Sequence, residues 1–330
     1  MLPTIIAWFN RAVMFGTVMM YGATGEIITE KSGHLNLGVP GIMYVGGFSG
    51  FVTAFLYEHF HGENYNPLVC IILSFIVAFA ASALMGLLYS FITVTLRANQ
   101  NVTGLTITIF GVGVGNFFGK MVMGDKTVAV TNLGFKAFTT KIPGLSGMGA
   151  VGQLFFSYGF MVYLAIIVAV LTQLFLNKTR VGLNLRAIGE NPATADAAGI
   201  NVIRYKYLAT CIGAGISGLG GLYYVLEYNK AMWATENGIE ALGWLAVALV
   251  IFATWKPLNV IWGSLLFGFL SWTYQFIPNF GISVPNYAIE LVKMLPYVVT
   301  MIVLIVVSFR NKKENQPPAS LGLSYFREER

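Results

Sequence analysis

The chain has 330 residues, of which 56% are hydrophobic and only 10% charged. That balance excludes an ordinary soluble domain, because continuous apolar runs reach the ~20 residues needed to cross a bilayer. The net charge of +6 then reads as loop bias toward the cytoplasm and anionic membrane lipid, with no nucleic-acid footprint.

Taken from the N-terminus, nine apolar segments fall near 12–28, 38–57, 67–94, 101–118, 153–176, 205–226, 241–254, 258–276 and 291–309. The expected fold is therefore all-α: a polytopic transmembrane helical bundle of about nine to ten membrane segments, including a broken or re-entrant one. The seventh segment is short for a span, so 227–240 before it is a candidate for re-entry. Residues 1–309 form the expected permeation domain, and 310–330 a polar, partly disordered tail. No charged leader with a cleavage site is evident, because Arg11 stands alone. Cys70 and Cys211 both lie inside apolar runs and read as small buried hydrophobes.

Lysine and arginine set the orientation. Twelve of them (Arg97, Lys178, Arg180, Arg186, Arg204, Lys206, Lys256, Arg310, Lys312, Lys313, Arg327 and Arg330) fall in alternate loops and the tail, against five (Lys120, Lys126, Lys136, Lys141 and Lys230) on the other side. The first set is expected in the cytoplasm, with the C-terminus. Gly111, Gly115 and Gly119 recur at four-residue spacing, as do Gly213, Ser217 and Gly221. Small residues at that spacing let helices approach closely in lipid.

Chemistry is narrowed mainly by what is missing. The sequence has no phosphate-binding G-x-x-x-x-G-K-[ST] loop, no H-E-x-x-H and only three histidines. Glu58, His59, His61 and Glu63 share one loop, but their spacing matches no closed metal site, and a solvated loop is the alternative. No catalytic set assembles, so the chain reads as a transport protein and not an enzyme.

Two polar stretches remain. Gly25–Gly50 contains Glu26, Glu30, Lys31, His34 and Asn36 on a Gly/Pro-broken backbone between apolar runs. Irregular backbone at membrane depth survives only where protein or a water-filled cavity satisfies it, so Glu26, His34 and Asn36 are candidates to line or support a substrate path. A plain turn is the alternative. The other stretch, Asn177–Tyr207, is basic and contains a short helix signal: Asn191 as N-cap, Pro192 at the first position, alanines after it and Gly199 at its end. A rigid helix in a cytoplasmic loop reads as a docking part; the alternative is a connector. Glu227, Glu236 and Glu240 fall near the opposite end, at the mouth or simply in solvent.

Three blocks resemble one family. Glu30-Lys31-Ser32-Gly33 with Asn36-Leu37-Gly38 is similar to the E-R-S-G-x-x-N-L-G-x-E-G signature of permease subunits of ATP-binding-cassette (ABC) importers. Arg186-Ala187-Ile188-Gly189-Glu190-Asn191-Pro192, with Ala197-Ala198-Gly199-Ile200-Asn201 following, is similar to that family's R-A-x-G-x-N-P…A-A-x-x-G-I-N loop. Trp244–Phe267 resembles its A-L-A-x-x-I-F-G-x-W-x-P…G-x-L-L-F region. The branch resembled handles nucleosides and simple sugars and is related to the ribose and branched-chain amino-acid permeases.

That resemblance implies a translocation subunit in the bacterial cytoplasmic (inner) membrane, for nucleosides first, with simple sugars or a riboflavin-type vitamin as alternatives. It implies ABC ATPase subunits carrying the ATP and Mg, a second permease subunit as heterodimer partner, and an external substrate-binding lipoprotein. No cofactor is implied on this chain. By the same resemblance, Arg186, Gly189, Glu190, Asn191, Pro192, Ala198 and Gly199 dock on the ATPase. Two positions depart from the pattern: Lys31 replaces Arg, and Pro40 replaces Glu. An ion-coupled secondary transporter is the alternative of a different class, but it would want paired charges deep in helices.

Overall fold

The computed structural model describes residues 2–124, 128–141, 149–234, 238–281, 285–310 and 316–326. Its helices in chain order are α1 (Leu2–Glu30), α2 (Val39–His61), α3 (Pro67–Ser90), α4 (Gln100–Met123), α5 (Asn132–Phe138), α6 (Gly149–Phe155), α7 (Phe160–Lys178), α8 (Arg180–Glu190), α9 (Pro192–Ala197), α10 (Val202–Tyr223), α11 (Ile239–Phe252), α12 (Pro257–Phe276), α13 (Asn286–Lys293) and α14 (Leu295–Arg310). Among the described residues seven helices are long and apolar enough to cross a membrane: α1, α2, α3, α4, α7, α10 and α12. α11 and the apolar part of α14 are shorter.

The bundle is built around α10, which packs against α1, α2 and α3. Lipid tails are as apolar as leucine, so close backbone approach must supply the packing energy instead. Both small-residue stripes do this. A Cβ on Gly111 would meet Gly41 O at 2.5 Å, and one on Gly213 would meet Gly25 O at 2.5 Å. Ser217 Oγ also donates to Gly22 O at 3.0 Å. Lipid-facing Leu, Ile, Val and Phe remain exposed on α3, α4, α7 and α14.

Four features differ from the sequence reading. α1 runs unbroken through Gly25 to Glu30, so the break is confined to residues 31–38. Glu26 and Glu30 are therefore helical, because the chain there keeps i→i−4 bonds up to Lys31 N–H on Ile27 O at 2.9 Å. Within the stretch 227–240, residues after Tyr228 form a strand, β2 (Met232–Ala234), antiparallel to β1 (Val128–Val130). This small ribbon is the exception to the all-α expectation; it is anchored by Trp233, 1% exposed and ringed by Tyr44, Phe48 and Phe51. The apolar run 153–176 is split into α6 and α7. Finally, residues 316–326 of the tail pack against the bundle, with Ser320 6% exposed.

Candidate functional site

Residues 31–38 form a compact knot at one end of the bundle. The N–H groups of Lys31, Ser32 and Gly33 still bond back onto the end of α1, but beyond Gly33 the helical bonds stop, so the backbone polar groups need other partners. Glu26 accepts Asn36 N–H at 3.1 Å, and Asn36 Oδ1 accepts Gly38 N–H at 2.9 Å. Gln100 Oε1 accepts Leu35 N–H at 2.8 Å, while Tyr89 OH donates to Leu35 O at 2.7 Å and Thr108 to Leu37 O at 2.9 Å. Glu30 accepts the Trp255 indole N–H. Gly33 supplies the positive φ (+85°) that turns the chain.

Of the three path candidates, Glu26, His34 and Asn36 are each 1% exposed within this chain. His34 Nδ1 lies 3.0 Å from Thr210 Oγ1, which itself donates to Lys206 O. Because Thr210 Oγ1 already donates its proton, Nδ1 is assigned as the donor of this pair. Burial, with Lys206 beside it, holds the His34 pKa well below its ordinary value.

α8 sits on this knot through Gly189, and α9 packs on α8 and α10. Gly189 is buried, with no room for a Cβ between it and Lys31 O. Residues 316–326 seal the joint: Ser320 N–H and Oγ both donate to Gly189 O (3.0 and 2.6 Å), and Gly322 N–H donates to Gly33 O at 3.2 Å. Gln100 reaches the same segment through Leu323 O at 3.2 Å. Burial, helped by Arg186, lowers the Lys31 pKa, while Glu190 and Glu30 oppose the shift.

α9 itself follows its sequence signals. Asn191 Oδ1 accepts Thr194 N–H at 3.0 Å, Pro192 opens the helix, and Gly199 takes φ +84° at its exit. Ala195 faces inward onto Ile188 and Val202, which fixes the helix on α8 and α10. Arg186, Glu190, Asn191, Ala198 and Gly199 are exposed and Pro192 is half-buried, whereas Gly189, the seventh docking candidate, is buried.

The sequence reading missed the partners that hold this site. Tyr89, Gln100 and Ser320 stand outside the motifs and carry no local signal, while Trp255 lies in the Trp244–Phe267 block without any sign that it bonds Glu30. Pro40, where the resemblance would place Glu, begins α2 and packs on Gly243, so α11 closes the space a longer side chain would need.

At the opposite end Glu227 is 3% exposed and accepts Gly159 N–H at 3.0 Å. Glu240 is exposed at the start of α11, and Glu236 lies outside the described residues. Glu58 accepts Leu133 N–H at 3.1 Å and the Thr131 hydroxyl, tying α2 to α5. The side chain of Glu63 lies outside the described residues, and among those described no group of three metal-ligating side chains comes together.

Comparison with known proteins gives these features a setting. Residues 8–305 match the family described as branched-chain amino acid transport system, permease component. The chain is 32% identical over 296 residues to the guanosine ABC transporter permease NupQ of Bacillus subtilis, covering 88% of this chain and 89% of that one. It is 30% identical, with the same coverage, to the nucleoside ABC transporter permease NupC of Lactococcus lactis. It is 25% identical to the galactose/methyl galactoside import permease MglC of Escherichia coli, over 64% of this chain and 60% of that one. No solved structure matches. With the match running through nearly every helix of the bundle, this chain belongs to the branched-chain amino acid transport system permease family: it is a multi-pass membrane permease component of an ABC transporter.

Proposed function

We propose that the chain is the translocation subunit of a nucleoside importer. The observation that carries this reading is the similarity to NupQ and NupC along 88% of the chain. The similarity to MglC supports a simple sugar as the second reading. The subunit pairs with a second, different permease chain, is fed by an external substrate-binding lipoprotein and is driven by two ABC ATPase subunits that carry ATP and Mg. It resides in the bacterial inner membrane, with α8, α9 and the C-terminus in the cytoplasm, as the lysine and arginine bias favours. The two shorter apolar helices, α11 and α14, complete a nine-segment bundle with the seven long ones.

Residues 177–206 form the coupling loop. Arg186, Glu190, Asn191, Pro192, Ala198 and Gly199 present the face the ATPase grips, and Gly189 passes the movement to the knot. Glu26, His34 and Asn36 support the inner end of the path instead of facing it at rest, which fits their burial. The test is reconstitution of the assembled transporter with loaded binding protein and labelled guanosine, adenosine or galactose. ATP-dependent guanosine or adenosine uptake is expected; uptake of galactose alone would overturn the nucleoside assignment. A cysteine at position 36, with Cys70 and Cys211 replaced, should be protected from water-soluble thiol reagents at rest and react during turnover. Protection throughout the cycle removes Asn36 from the path.

A further inference from the structure

At the end of the bundle that carries α8 and α9, a cavity of about 330 Å³ opens between the start of α10, residues 93–97, His34 and residues 324–325. That volume lies within the ~300–1,000 Å³ usual for small-molecule sites. Lys206 lines it while only 3% exposed. Among the described residues its ammonium has neither a hydrogen bond nor a carboxylate partner. A buried, unpaired charge is costly unless something of opposite sign comes to it.

Two other groups on the same wall favour negative charge. Arg97 holds φ +58°, sparse for a residue with a side chain, and its guanidinium lies 4.9 Å from the Phe326 ring centroid. It is exposed and unpaired among the described residues. The N-terminus of the 22-residue α10 also faces the cavity. Asn201 caps Arg204 N–H at 2.9 Å, which leaves the Val202 and Ile203 amides without a backbone acceptor at the positive end of the helix dipole. The one carboxylate in the lining, Asp196, accepts a bond from Tyr325 OH at 2.9 Å. His34 contributes a ring whose Nδ1 is engaged with Thr210 Oγ1 at 3.0 Å.

We propose that this cavity binds a phosphate-class oxyanion, held by Lys206, Arg97 and the first amides of α10. The anion is either a small soluble phosphate monoester or the headgroup of an anionic lipid. It is not the cargo, since neither a nucleoside nor a simple sugar carries the negative charge this wall selects. Bound beside Asp196 and Gly199, it braces the corner between α9 and α10, so the site is placed to modulate the coupling loop. The cavity stands apart from the transport assignment, and its test does not depend on what is carried.

The experiment uses the full-length chain in detergent, with ionic strength fixed by sodium chloride and unfolding followed by tryptophan fluorescence. Inorganic phosphate or phenyl phosphate should raise the unfolding midpoint by about 3 °C or more at saturation. Parallel samples in phosphatidylcholine vesicles, with and without phosphatidylglycerol, separate the sources. A shift with soluble phosphates assigns a free ligand, and a shift only with phosphatidylglycerol assigns a headgroup. Lys206→Met should raise the ligand-free midpoint, because it removes the unpaired charge, and abolish the ligand shift. Arg97→Gln should leave the ligand-free midpoint within about 1 °C and weaken binding roughly tenfold. The proposal is overturned by no shift from either source, by a shift that survives both substitutions, or by a Lys206→Met chain less stable than the parent.

Discussion

The knot at residues 31–38 and the α8–α9 pair look alike in the sequence: both are polar interruptions between apolar runs. The bundle treats them in opposite ways. The knot turns its polar groups inward, where Glu26, Tyr89, Gln100 and Thr108 bond the backbone of Leu35, Asn36 and Leu37 and only Asn36 Nδ2 among its described side-chain atoms is buried without a partner. α8 and α9 turn theirs outward, keeping Gly182, Leu185, Ile188, Gly189 and Ala195 inside. Polarity in a membrane chain therefore marks a place where backbone or side chains need partners, and the fold decides whether those partners lie inside the chain or outside it. The two regions meet at a single glycine, which is where the comparison is easiest to break.

Gly189→Val should have the largest effect. Its side chain has no space against Lys31 O, so α8 must lift from the knot. Stimulation of the ATPase subunits by loaded binding protein is expected to fall at least ~10-fold, since a displacement of about 1 Å can cost 10²-fold in a positioned system. Membrane insertion, read by cysteine accessibility at surface positions, should be retained. Full stimulation would mean that the two regions are not mechanically joined.

Glu26 comes next. If the knot's polarity is structural, Glu26→Leu should cost about 1–3 kcal/mol by orphaning the buried Asn36 N–H, whereas Glu26→Gln keeps an acceptor and should cost less than half as much. Thermal unfolding of the two variants sharpens the comparison. Equal losses would show that the carboxylate charge itself is required.

Gly199→Val tests the outward region. There is open space for a Cβ, so the penalty comes only from φ +84°, on the order of 1–3 kcal/mol. Transport and stimulated ATP hydrolysis should fall while the protein remains inserted, and Gly199→Asn, which tolerates left-handed backbone, should recover most activity. A valine chain with full uptake would reduce α9 to a connector. The smallest effect is expected for Asn191→Ala: loss of the cap on Thr194 N–H costs about 1 kcal/mol, locally and in solvent. Hydrogen exchange at the first turn of α9 should rise without a change in the global midpoint.

Much of this was legible in the chain. The Asn191, Pro192 and Gly199 signals are local, and α9 obeys them. The small-residue stripes of α4 and α10 are visible as spacing, and they pack as that spacing requires. Less legible was α8, whose inward residues Leu185 and Ile188 are diluted by glycine, asparagine and arginine. Residues 316–326 were read as loose because their attachment runs through backbone groups of Gly33 and Gly189, which leave no trace in hydropathy. The ribbon of β1 and β2, at three residues a strand, is too short to give an alternating pattern.

The seal over Gly33 has a consequence for biogenesis. Gly33 O receives its bond from Gly322 N–H, a pairing between residues separated by nearly the whole sequence. During synthesis α1 and α2 enter the membrane long before their last partner exists, and contacts of such high sequence separation form late. The joint beneath α8 therefore closes only once residues 316–326 have emerged, as a final latch on a chain already inserted. A nascent chain arrested before that segment should expose Gly33 and Gly189 to proteases that the finished protein resists, so a quality-control protease can tell an incomplete permease from a complete one.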